Sequence, residues 1–298
     1  MKKRKTTIVM VLFFFIGLLV LLYPSISNFY NEKHQSKAIV AYEDLLLNYH
    51  EEDYKKIINE ANVYNNKLKN LKEPLTTKNT IKNYNETLNI NGDGMMGYLT
   101  INKIKVELPI YHGTSEKVLS HAVGHVEGTS LPVGGIGTHS VLSAHRGLPS
   151  SKLFTDLDKL EVGDTFTITV LNQIFTYEVD KIVTVKPNDI NNLKIEENKD
   201  YVTLLTCTPY GINTHRLLVR GKRIDNIEEK KTYVVTECFK ISTLIVTPLV
   251  ALPIIFTLLL AIIFQPIKKE NKNWMDKYLY PTKNKKRLEV DKKWAHKK

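Results

Sequence analysis

The chain has 298 residues, with 42 Lys and Arg against 31 Asp and Glu, and only two cysteines. Its net charge of +11 is unevenly placed: residues 2–5 carry +4, residues 268–298 carry +8, and residues 6–267 sum to −1. The basic balance therefore belongs to two tails, which argues against a nucleic-acid partner for the middle of the chain, and two cysteines exclude a disulfide-built scaffold.

In chain order, residues 1–5 are basic and are followed by an apolar run from residue 6 to residue 23. A run of this length suffices to cross a bilayer as a helix. No small-x-small cleavage site follows it, so we read an uncleaved anchor, with a cleaved signal as the alternative. Residues 24–90 form an N-terminal segment that is helical and then turns polar. Tyr23-Pro24 is expected to mark the exit from the span, and Ile39, Tyr42, Leu45, Leu46 and Tyr49, then Tyr54, Ile57, Ile58 and Ala61, recur at helical spacing. From Asn65 to Tyr84 the composition turns polar and predicts a loop, which carries Glu73-Pro74-Leu75.

Residues 91–226 change to the period of strands. Strands are expected at 97–101, 106–110, 140–144, 165–170, 174–179, 181–185, 201–206 and 216–219, with Leu171-Asn172-Gln173 as a hairpin turn. Short helices are expected at 116–122 and 152–157. About eight short strands with few helices predict a mostly β fold, a closed eight-stranded β-barrel with short peripheral helices. Residues 227–241 read as a tether, 242–264 as a second transmembrane helix despite Pro248 and Pro253, and 265–298 as a basic tail. Basic residues beside both spans put both termini in the cytoplasm and the middle outside, in a two-pass membrane protein. The lipid bilayer is then a partner, and the tail lysines are suited to anionic lipid.

Cys207 closes an apolar, β-branched strand, Tyr201 to Thr206, just before a turn. Free cysteines are often small buried hydrophobes. A strand-end thiol on an exported domain is also a candidate nucleophile, which needs a base and a nearby cation. Cys238 lies just before the second span, and we expect no pairing between the two. His145, at the end of the 140–144 strand, and Arg216, at the start of the strand after Cys207, are the candidate partners. Thr206 either orients the backbone there or is a plain strand residue. His121 and His125 are four apart, with His112 and His139 nearby. No acid or thiol completes a ligand set, and Gly124 weakens a helix there, so no metal and no cofactor is expected.

These residues carry a resemblance. Thr203-Leu204-Leu205-Thr206-Cys207, Ser143-Ala144-His145-Arg146-Gly147 and Arg216 resemble the cysteine, histidine and arginine segments of sortases. Gly92 to Tyr98, Leu108 to Thr114, Glu127 to Gly135 and Cys207 to Asn213 resemble class C, the pilin polymerases, as does a second C-terminal span. The resemblance implies a sortase-type barrel and a cysteine transpeptidase acting on pilin subunits. Cys207 would cleave a Leu-Pro-x-Thr-Gly-like sorting signal between Thr and Gly, with His145 as acid and base and Arg216 as oxyanion donor. A lysine of another pilin would receive the acyl group. A housekeeping sortase that anchors surface proteins, a hydrolytic Cys-His peptidase and a tethered binding module are the alternatives. Class C members carry an Asp-Pro-aromatic lid; Glu73-Pro74-Leu75 stands in its place. Glu73 is expected to reach Arg216, while Leu75 lacks the ring that stacks on the cysteine.

Overall fold

The computed structural model describes residues 2–77, 81–226 and the single residue 255. The tether, the second apolar run, the basic tail and Cys238 lie outside the described residues, apart from Ile255. The chain divides into two units, Met1–Leu12 with Val246–Lys298, and Phe13–Ile245, which holds the barrel.

Helix α1 runs from Lys2 to Leu46. Its stretch from Ile8 onward is long and apolar enough to cross a membrane, the one such helix among the described residues. Phe13, Leu19, Val20 and Leu21 are exposed, as a lipid-facing surface requires. Pro24 lies inside the helix, which continues unbroken from the apolar stretch into residues 24–46. A proline removes one backbone hydrogen bond but need not end a helix of this kind. Beyond it, α1 lies against the barrel. Ile39 and Tyr42 pack on Met95, and the Tyr42 hydroxyl donates to Met96 O at 3.1 Å while accepting from Leu171 N at 2.9 Å. Asn31 donates to Ser150 O and Gln35 to His121 O, each at 2.7 Å, so α1 satisfies backbone groups of two loops.

Helix α2, Glu51–Lys69, has Glu51, Glu52 and Asp53 in its first turn and Lys67 and Lys69 in its last, charges that complement its dipole. It buries Ala61, Tyr64, Asn65 and Leu68. The loop expected from Asn65 therefore begins five residues later, at Asn70. Asn65 is an inward residue that pairs with the backbone of Leu131, accepting from its N–H at 2.7 Å and donating to its carbonyl at 3.2 Å. A buried amide is tolerated because both its groups are matched.

The barrel strands are β1 (Met95–Ile101), β2 (Val106–His112), β3 (Val123–His125), β4 (Thr138–Ser143), β5 (Thr165–Val170), β6 (Gln173–Val185), β7 (Asp200–Thr208) and β8 (His215–Ile224). They close in the order β1-β2-β3-β4-β7-β8-β6-β5. The expected barrel stands, but its inventory differs. The two runs expected at 174–179 and 181–185 are one strand, β6, whose register against β8 shifts between Val179 and Lys181; a bulge lets a strand continue through such a kink. In place of the helix expected at 116–122 there is a four-residue helix, α3 (Glu116–Leu119), and then β3. The helix expected at 152–157 is a series of turns closed by a single 3-10 turn, Leu157–Lys159. Inside, Leu99, Ile110, Val123, Leu142, Phe154, Ile168, Val179, Leu204 and Val219 are fully buried.

His125 lies within this core. Its Nε2 faces Ser130 O at 2.8 Å and its Nδ1 the Tyr84 hydroxyl at 2.9 Å. The first contact needs a proton on Nε2, and in the neutral ring Nδ1 is then the acceptor for Tyr84. Burial pushes its pKa down to about 4. The unfolded chain takes up that proton near pH 6.5. Stability is therefore fully present above that pH and is lost as pH falls toward 4, by about 3 kcal/mol from this residue alone. His125→Gln, which keeps one donor and one acceptor, is expected to flatten the fall in unfolding temperature between neutral pH and pH 4. An unchanged fall would reject the assignment.

Candidate active site

The site is built at one rim of the barrel, where β4 and β7 end and β8 begins. In the antiparallel β7–β8 pair, Cys207 stands opposite Arg216. Directly opposed residues share a face, with Cβ atoms about 4.5–5.5 Å apart. β4 runs parallel to β7, with Ser143 level with Leu205. Two residues onward on each chain are His145 and Cys207. The β4 chain stays in step past the end of the strand, since Ala144 N donates to Leu205 O at 3.2 Å. Thr206 adds a second tie, its hydroxyl donating to Ala144 O at 2.8 Å. Thr206 is 1% exposed, so it orients the histidine segment from within and presents nothing to a substrate.

Cys207 is half-buried and free. The His145 side chain is 28% exposed. No hydrogen bond joins the two among the described residues. Arg216 Nη1 donates to Asn213 O at 3.1 Å and His215 O at 3.0 Å, the backbone of its own loop. Catalytic contacts are often long in the absence of substrate and tighten when it binds. A cysteine reacts as its thiolate, and Arg216 is the cationic residue paired with Cys207 across the ladder.

Sequence reasoning missed two contributors. Arg146 bridges the strand ends: its Nη1 donates to the Thr208 hydroxyl at 3.4 Å and its Nη2 bonds Asp158, with the side chain 10% exposed. Glu116, the first residue of α3, places Oε2 3.3 Å from His145 Nε2. The expected helix start at Glu116 showed the acid but not the direction it faces. The two loops of the rim also touch. Gly147, at φ +77°, lies so close under the Tyr210 ring that a Cβ there would be 2.8 Å from Cε2. Tyr210 and Ile212 are exposed beside the cysteine strand.

The structure does not bring Glu73-Pro74-Leu75 to this rim. The Glu73 carbonyl accepts from Thr76 N and Thr77 N, closing a turn, and a Cβ on Gly128 would lie 2.7 Å from Pro74 O. The segment borders a cleft of about 660 Å³ with Thr129, His139, Ile190 and Lys194, and neither Cys207, His145 nor Arg216 lines it. His139 is level with Tyr201 at the start of β7. Six strand residues, about 20 Å, separate Tyr201 from Cys207. The expected pairing of Glu73 with Arg216 is corrected accordingly. Glu73→Ala is expected to leave the alkylation rate of Cys207 within about twofold of the native rate, the spread of a surface substitution away from the site. A several-fold acceleration would restore the latch.

The histidines weighed as metal ligands are otherwise engaged. Both nitrogens of His125 are bonded, as are those of His139, to Lys194 O and Thr203. His121 packs edge-on against Tyr111. Among the described residues, no group of His, Cys, Asp and Glu is placed to hold a metal ion.

Comparison with known proteins places the barrel in a family. Residues 99–224 match the Sortase domain family. Sortase D of Bacillus subtilis is 33% identical over 131 residues, 43% of this chain and 63% of that protein, so the chain spans somewhat less than two thirds of it. Among solved structures, sortase C1 from Streptococcus agalactiae is 56% identical, with a TM-score of 0.61, covering 64% of this chain and 100% of the other. Sortase C of Streptococcus pneumoniae, whose structure bears on catalysis and pilin substrate specificity, is 43% identical with a TM-score of 0.57, covering 64% and 97%.

Proposed function

The chain belongs to the sortase family, and from that premise we propose that it is a class C enzyme, a membrane-anchored cysteine transpeptidase that polymerises pilin subunits. Cys207 attacks the carbonyl between Thr and Gly of a Leu-Pro-x-Thr-Gly-like signal. The carbon–nitrogen bond breaks, His145 gives its proton to the leaving glycine amine, and a thioester remains on Cys207. A lysine amine of a second pilin then attacks the thioester. His145 takes a proton from that amine, the sulfur leaves, and an isopeptide bond joins the subunits. Arg216 hydrogen-bonds the oxyanion of both tetrahedral intermediates, an effect worth on the order of 3 kcal/mol in comparable sites.

The single observation that carries this reading is the register that sets Cys207 against Arg216, with His145 two residues beyond the Ser143–Leu205 pair on the neighbouring parallel strand. The pilin substrate is supported by the identity to sortase C structures, one of them described in terms of pilin substrate specificity. The apolar N-terminal helix supports an anchored enzyme; the basic residues beside the apolar runs are the reason to put the barrel on the outer face. The second span and its topology rest on the sequence alone.

Product analysis tests the proposal. The protein is incubated with a sorting-signal peptide and a pilin bearing surface lysines. An isopeptide-linked product is expected. Release of the free threonine acid alone would mark a hydrolase, and transfer confined to a cell-wall amine would mark a housekeeping enzyme.

A further inference from the structure

We propose that Glu116 is a positioning residue for His145, holding the imidazole by Nε2 so that Nδ1 is the nitrogen that exchanges the proton with substrate. The inference rests on the reading of His145 as acid and base. Glu116 Oε2 lies 3.3 Å from His145 Nε2, and the Glu116 carboxylate has no other ion pair or hydrogen-bond partner among the described residues. His145 Nδ1 has none either. An acceptor on one imidazole nitrogen selects the tautomer with the proton there and frees the other nitrogen.

The contact is built into the fold. Glu116 opens α3, whose Val118 and Leu119 amides donate to Ser115 O at 2.9 Å. α3 rests on β3 through Gly124: a Cβ on that glycine would lie 2.3 Å from Gly113 O and 3.1 Å from Leu119 Cδ2. The backbone of the β2–α3 turn thus presses directly on β3, at an approach only glycine permits. Gly124 in turn pairs with Ser143 of β4, two residues before His145. The acid and the histidine are therefore held by one backbone frame, the arrangement in which a third group orients a catalytic base. When His145 carries a proton for the leaving amine, the carboxylate also faces the resulting positive charge. The Glu116 side chain is 80% exposed, so the effect is modest.

The test uses the full chain, a sorting-signal peptide and an amine acceptor, with Glu116→Gln and Glu116→Ala beside His145→Ala. Both Glu116 variants are expected to lose about three- to fivefold in kcat, the scale of an exposed ion pair, with KM for the peptide unchanged. Native kcat in either variant, or a loss that appears in KM alone, would overturn the inference. Glutamine performing as well as glutamate would also overturn it, because the charge would then be dispensable. If His145→Ala itself retained native turnover, the reading of His145 would fail, whatever the Glu116 variants did.

Discussion

Cys207→Ala is expected to eliminate the acyl-enzyme and every isopeptide product while leaving the barrel folded. The substitution removes one sulfur from a half-buried strand end, not a side chain from the fully packed interior. Its neighbours Thr206 and Thr208 keep their ties to Ala144 O and to Arg146. The unfolding temperature should therefore move little, whereas the chemistry loses the atom that forms the covalent bond. No other cysteine is present among the described residues to replace it. Cys207→Ala protein that still joined pilins would refute the covalent mechanism outright.

His145→Ala is expected to lower kcat by about 10²–10⁴, the range for a positioned acid or base, because the glycine amine would then leave without a proton donor. Binding of the sorting peptide should persist, since the loss is confined to the proton in flight. The segment beyond His145 is held independently, by Phe154 N on the His145 carbonyl at 3.1 Å and by the packing of Tyr210 on Gly147. Turnover within tenfold of native would remove His145 from the site. Partial rescue by added imidazole would place the defect in proton transfer.

The central residues were legible in the sequence because β-strands announce themselves by side-chain type. Tyr201 to Thr206 and Thr165 to Val170 are β-branched and apolar, as interior barrel strands must be. A reactive residue at the end of such a strand faces a rim, which made Cys207, His145 and Arg216 visible as a set. The register that brings His145 level with Cys207 was not legible, because the pairing of Ser143 with Leu205, far apart in the chain, leaves no local trace.

The misreadings have physical causes too. Strand β3 has three residues, too few for alternation to show. Asn65 looked like loop because its solution, two hydrogen bonds to the Leu131 backbone, lies 66 residues away. Glu73-Pro74-Leu75 was expected over the cysteine because a short motif states which residues it has, not where its flanking chain goes. The close fit of Pro74 to Gly128 decides that. Glu116 reverses the case: the sequence shows an acid at a helix start, and only the folded contact shows that it faces His145.

Trapping the covalent intermediate tests the account most directly. The protein is mixed with a Leu-Pro-x-Thr-Gly peptide in the absence of an amine acceptor, quenched in acid and digested for mass spectrometry. The account requires a hydroxylamine-labile adduct on the peptide containing Cys207, with a mass equal to the acyl fragment ending at threonine. An intact enzyme mass, an adduct on any other residue, or an acyl fragment ending elsewhere in the signal would contradict it.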